Sequence, residues 1–185
     1  ALLSSRKHVF SAQNIDFYEA LAQTFGLAID DRRAQHALRE RVKELSCLYA
    51  IAQVFELTDA TIPETLAKIV RMLPPAWQFP EGLVARIHVD EREFTTGKMN
   101  GTVHRQEATV VIDGATRGLV EVGYLEDRPE FVEGAFLKEE ERLIAAIARE
   151  VSLFVQRCEA REEKQRLAEH VRQADRLATI GQLAA

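Results

Sequence analysis

Apolar residues in the first sixth of the chain recur at helical spacing. Ile15, Tyr18, Ala22, Phe25 and Ile29 fall three and four residues apart, with Phe17, Leu21 and Ala28 beside them. This describes one wide helical face, and a face of that width is expected to pack on a body. Little of that body lies upstream, where ALLSSRKHVFSAQ holds a short strand-like run and Ser11, a candidate N-cap. From Asp30 the apolar stripe narrows. DDRRAQHALRERVKEL has no Gly or Pro, and apolar positions persist at Leu38, Val42, Leu45, Tyr49 and Ala52, with gaps alternating four and three. That is the a/d rhythm of a coiled coil, and so narrow a seam suits a self-pairing helix better than a helix laid along one domain.

The period then changes twice. TIPETLAKIVRMLPP carries a start and a stop: Thr61 as cap, Pro63 in the first turn, Glu64 to complete a capping box, and Pro74-Pro75 to end the helix. Its buried face is expected to hold Ile62, Leu66, Ile69, Val70 and Leu73. GLVARIHVD alternates with period two, sending Leu83, Ala85, Ile87 and Val89 one way and Arg86 and His88 the other. REFTTG reads as a return strand. QEATVVIDGATRGLVEVGYL reads as a hairpin turning at Asp113-Gly114.

A helix is predicted from about Leu137 to the end. Leu143, Ile147, Val151, Phe154 and Cys158 make its stripe, widened by Ile144 and Val155, and past Ala160 charge dominates in REEKQRLAEHVRQADR. The segments FSAQNIDFYEALAQTFGLAIDDRRA and FLKEEERLIAAIAREVSLFVQRCEA align without a gap: Phe10 with Phe136, Phe17 with Leu143, Phe25 with Val151, Ala34 with Ala160. Two amphipathic helices can match by chance; the reading preferred here is a repeated closing helix.

Composition narrows the class. A net charge of −5 speaks against nucleic acid as the main partner. No apolar run approaches the roughly 20 residues a membrane span needs, and no signal-peptide pattern opens the chain. Cys47 and Cys158 form no CxxC pair, so a reducing, cytoplasmic setting is expected.

The order of long helix, capped helix, antiparallel strands and long outgoing helix resembles a GAF domain, a relative of the PAS fold. NIDFYEALAQTFGLAIDDRRA resembles the closing helix of another GAF domain, and RERVKELSCLYAIAQVFE the incoming helix of multidomain bacterial sensors. QADRLATIGQLAA resembles the first helix of the dimerisation and phosphotransfer domain of histidine kinases. The resemblance implies an α+β fold, a GAF/PAS-like antiparallel sheet packed on helices and flanked by long coiled-coil signalling helices. The expected divisions are 1–34, the end of a preceding GAF-like domain; 35–57, a signalling helix; 58–159, the GAF-like domain; and 160–185, an exit coiled coil entering the kinase helix. The uncapped end is then expected to be a cut inside that helix, ahead of the phosphoacceptor histidine. A parallel homodimer is implied, with Leu38, Val42, Leu45 and Tyr49 meeting near the start and Leu167, Ala174 and Leu177 near the end. ATP, Mg and a response regulator would belong to a kinase core outside the chain, which is expected to carry no activity or cofactor of its own.

Catalytic motifs are absent from the sequence: no G-x-S-x-G, P-loop, H-E-x-x-H or paired metal-ligand spacing occurs. His170 precedes RLATIGQLAA, whereas the kinase family's acceptor follows that run, so His170 reads as a polar coiled-coil position. His8 and His36 read as surface residues. Trp77, Arg86, His88 and His104 could line a pocket for a small anionic or aromatic ligand; the simpler reading has the polar strand face meeting water or a covering loop. The connection EREFTTGKMNGTVHR is short beside the ligand-wrapping segments of cyclic-nucleotide and bilin-binding GAF domains. The two cysteines lie on apolar helix faces, which admits a redox switch but fits buried free thiols better.

Overall fold

The helical spacing of the first third of the chain is realised as one uninterrupted helix, α1 (Ala12–Leu57), 46 residues long. The structure is a computed structural model and describes residues 12–57, 61–127 and 134–183. The strand-like run expected before Ser11, His8 and the side chain of His36 lie outside the described residues. Where a division was expected at 34/35, α1 continues. No Gly or Pro occurs between Gly26 and Pro63, so nothing in the backbone chemistry stops it. By its internal contacts the chain divides into two compact units at Val42/Lys43. In the first unit Phe17, Tyr18, Leu21, Phe25 and Ile29, of the stripe read as needing a body to pack on, are exposed.

The second unit is an α+β domain. Its elements are the end of α1, α2 (Ile62–Val70), β1 (Leu83–Val89), β2 (Arg92–Thr95), β3 (His104–Ile112), β4 (Ala115–Tyr124) and α3 (Lys138–Leu183). The four strands form one antiparallel sheet in the order β2-β1-β4-β3. Each strand predicted between Gly82 and Leu125 is present. The β3–β4 hairpin turns at Asp113 and Gly114, with φ of 51° and 78°, the left-handed pair that a two-residue turn of matching twist demands. At Gly118 the neighbouring strand comes so close that a Cβ there would lie 2.0 Å from the His88 carbonyl oxygen.

Helix α2 starts as its sequence signals. The Thr61 backbone N–H and hydroxyl donate to the Glu64 carboxylate at 3.0 and 2.9 Å, and that backbone bond, with the hydroxyl's, holds the Glu64 carboxyl below its usual range. Helix α3 starts on Glu140, whose buried carboxylate accepts the Leu137 N–H at 2.8 Å and the Gln78 N–H at 2.6 Å. One side chain thus caps its own helix and pins the turn after α2.

The core lies between one sheet face and the helices. Ala85, Ile87, Val120 and Val122 from the sheet meet Leu66, Ile69 and Leu73 from the α2 segment and Leu143, Ile147 and Val151 from α3, all essentially inaccessible. Cys47, Ile51, Val54 and Phe55 of α1 join this core, and Phe55 stacks on Phe154 with ring centroids 4.4 Å apart. The incoming and outgoing helices are therefore clamped to one body. From residue 160 on, every described side chain of α3 is exposed. No described helix is long and apolar enough to cross a membrane.

Candidate functional site

Strand register decides the fate of the four residues read as a pocket lining. Directly paired residues in an antiparallel ladder point to the same face. Ala85 pairs with Val122 and Ile87 with Val120, so odd positions of β1 and even positions of β4 face the helices. His104 pairs with Tyr124 and Gln106 with Val122, which puts His104 on that helix side as well. Arg86 and His88 face the opposite side. Trp77, read as a lining residue, is fully buried on the helix side, its indole N–H donating to Gln106 Oε1 at 3.2 Å. The structure therefore separates the four into Trp77 and His104 on one face and Arg86 and His88 on the other. They do not share one face of the sheet. Period-two patterning assigned faces within β1 correctly; relating β1 to β3 required the pairing.

The outer face is covered in part, over β1 and β4, while Arg105, Glu107 and Thr109 of β3 stay exposed. Arg86 Nε donates to Glu121 Oε2 at 2.5 Å, its Nη2 also pairs with Glu121, and its Nη1 reaches Glu93 at 3.2 Å. Burial alone would lower the Arg86 pKa; the hydrogen bond and charge of Glu121, joined by Glu93, outweigh it and raise the net value. Glu121 itself is 3% exposed. Beside this cluster the connection from β2 to β3 folds back over the sheet. Gly97 sits against Val84, Thr102 against Gly123, and Met99 is buried. Arg105 fastens that connection by donating to Thr102 Oγ1 at 2.6 Å and to the Met99 carbonyl at 2.9 Å. His104 pairs with exposed Asp127 at 2.9 Å.

The main cleft, about 630 Å³, opens on the helix side between the start of α2, the β1–β2 turn and α3, and is floored by Ile62, Leu66, Val89, Phe94 and Val155. Two smaller clefts of about 360 and 270 Å³ lie between β3 and α3. None of the three is lined by Trp77, Arg86, His88 or His104.

At the mouth of the main cleft an arginine holds two carboxylates from two elements. Arg117, at the start of β4, donates through Nε and Nη2 to Asp90 at 2.8 and 2.7 Å, and through Nη1 and Nη2 to Glu159 of α3 at 2.9 and 2.6 Å. The Asp90 N–H returns a bond to the Arg117 carbonyl at 2.8 Å, and Asp90 sits at φ 54° in the β1–β2 turn. Hydrogen bonds to Asp90 and Glu159 raise the guanidinium pKa, and the bond from Arg117 lowers the Asp90 carboxyl. Sequence reading missed all three residues. Arg117 and Asp90 are 27 positions apart and meet only because the β1–β4 register brings Val89 against Gly118.

The exposed apolar positions on the long helices follow the expected spacing. Leu38 is 64% exposed, Val42 and Leu45 54% each, and Tyr49 67%. Leu167 is 54% exposed, Val171, which the sequence reading passed over, is 60% exposed, and Ala174 is exposed. The side chain of Leu177 lies outside the described residues. His170 is exposed on α3, away from any cluster described here.

Cys47 is buried and Cys158 half-buried; both are free thiols. Burial pushes the Cys47 thiol up to about 11 and raises Cys158 as well, the opposite of the shift that activates a redox cysteine. Among the described residues no group of three or more His, Cys, Asp or Glu side chains could hold a metal ion. No family model matches the chain, and no curated protein matches it. Fold and site together define an α+β domain with a four-stranded antiparallel sheet, set between two 46-residue helices.

Proposed function

We propose that this chain is the signal-relay region of a bacterial two-component sensor histidine kinase: a GAF-like domain between coiled-coil helices, passing a conformational bias to a kinase core outside the chain. One observation carries the reading. Two 46-residue helices insert into the same small core, and beyond it both present exposed apolar side chains at four- and three-residue spacing, which no described residue covers. Such a stripe is costly in water and is relieved by a second copy. In a parallel homodimer Leu38, Val42, Leu45 and Tyr49 would form one seam, and Leu167, Val171 and Ala174 the other. ATP, Mg and the response regulator would be bound by the kinase core, and the whole would work in the cytoplasm.

The receptor alternative, in which a ligand on the outer sheet face is the primary signal, draws less support. The Arg86–Glu121–Glu93 cluster and the 96–103 connection occupy the part of that face formed by β1 and β4.

Association in solution tests the relay. Sedimentation equilibrium is expected to show a dimer, weakened about 30-fold or more by Leu45→Glu, since losing two half-buried leucines from a seam costs about 2 kcal/mol. Leu167→Glu should act the same way. A monomer at high concentration, unchanged by both substitutions, would defeat the proposal.

A further inference from the structure

We infer that Asp90, Arg117 and Glu159 form a latch that fixes α3 where it leaves the domain, and that the cleft beside the latch is the space into which the released helix moves. Three observations converge on this point. First, Glu159 is the last half-buried residue of α3; from Ala160 onward the described side chains are exposed. Arg117 therefore grips the helix at its final point of attachment. Second, its holder is tied into the sheet. The Asp90 N–H donates to the Arg117 carbonyl at 2.8 Å, and the next residue, Gly118, lies so close to His88 that no side chain would fit between the strands. Third, packing behind the grip is incomplete. Along Val155, Glu159 and Glu162, α3 faces a cleft of about 630 Å³ whose other wall is the start of α2 and the β1–β2 turn. The core-facing side of α3 is seated by apolar side chains such as Leu143, Ile147 and Val151; here a forked ion pair bridges the gap.

Such a contact suits a switch better than a core contact would. Packed cores resist small displacements, whereas a fork of exposed ion pairs is specific in geometry yet modest in energy. Side-chain exposures of 30% for Arg117, 46% for Asp90 and 37% for Glu159 place it in that regime. Opening it would let the outgoing helix tilt towards Ile62 and Phe94, a helix shift of the kind that changes the phase of whatever follows. The inference deepens the relay reading by giving the outgoing helix a held and a released setting. Its test is intramolecular, so failure here leaves dimeric relay standing, and a monomeric chain leaves the latch standing.

Disulfide trapping across the cleft tests it. Glu91 and Glu162 are exposed and line opposite walls. The full chain carrying Glu91→Cys, Glu162→Cys and Cys158→Ser is oxidised with diamide, and intrachain crosslinking is timed with the latch intact and with Glu159→Gln or Arg117→Met. Opening is expected to speed crosslinking about fivefold, the range a forked surface network supports. Hydrogen exchange should rise in residues 155–163 while β1 and β4 stay protected. If Arg117→Met unfolds, Glu159→Gln decides alone, because it removes only the α3 leg. Equal crosslinking rates with and without Glu159→Gln would overturn the latch. So would a rate that rises together with exchange across the whole sheet, which would mark a structural staple.

Discussion

The joint between the incoming and outgoing helices can be broken at one ring. Phe55, near the end of α1, is 7% exposed and stacks on Phe154 of α3, 4% exposed, with centroids 4.4 Å apart and planes 19° from parallel. Phe55→Ala removes a buried ring and leaves a void that helix backbones cannot readily close, which costs about 3–5 kcal/mol. The stacked geometry contributes about 1 kcal/mol of that beyond burial. Trp77, the single tryptophan, is fully buried in the same core, so its fluorescence reports unfolding in urea. At a denaturant slope of roughly 2 kcal/mol per molar, the midpoint should fall by roughly 2 M. The double variant Phe55→Ala/Phe154→Ala should lose less than the sum of the single losses, by about 1 kcal/mol, because the rings touch. A loss below about 1 kcal/mol for Phe55→Ala, or strictly additive effects, would refute the claim that α1 is clamped to α3 through the core.

Other outcomes follow from the same geometry. Gly118→Ala drives a Cβ to 2.0 Å from the His88 carbonyl oxygen, so the β1–β4 ladder must spread, and thermal melting should show about 1–3 kcal/mol of destabilisation. At pH 8 the Cys47 thiol, raised to about 11 by burial, carries about a thousandth of its thiolate form. Ellman's reagent should therefore leave Cys47 untouched until urea unfolds the chain; rapid reaction of both thiols would contradict its burial. Asp90 has its folded pKa lowered, first by the hydrogen bond from Arg117, so its contribution to stability is present above the ordinary aspartate value of roughly 4 and is lost as pH falls below it. Arg117→Met should flatten that acid limb in urea melts taken between roughly pH 5 and 3.

Local chemistry was legible wherever one segment carried its own signal. Thr61 with Glu64 marked a helix start because a capping box closes within four residues. Asp113-Gly114 marked the hairpin because few residue pairs accept two successive left-handed conformations. The alternation in LVARIHV assigned the faces of β1 because strand side chains reverse at each step. The four- and three-residue spacing of the exposed apolar positions from Leu38 to Tyr49 could also be read, since such spacing is a property of one helix. A boundary between modules along α1 has no such local mark, because no Gly, Pro or cap interrupts the helix there.

What the amino-acid sequence by itself determined, then, was the set of elements and which side of each is apolar, because caps, turns and periodicity act over a few residues. The tertiary structure alone decided which polar groups meet. His104 parted from Arg86 through the register of β3 on β4, and Arg117 reached Asp90 and Glu159 across 27 and 42 positions through the β1–β4 pairing and the seating of α3. Side-chain encounters at that range depend on strand order, register and packing taken together, and no short stretch of chain encodes them.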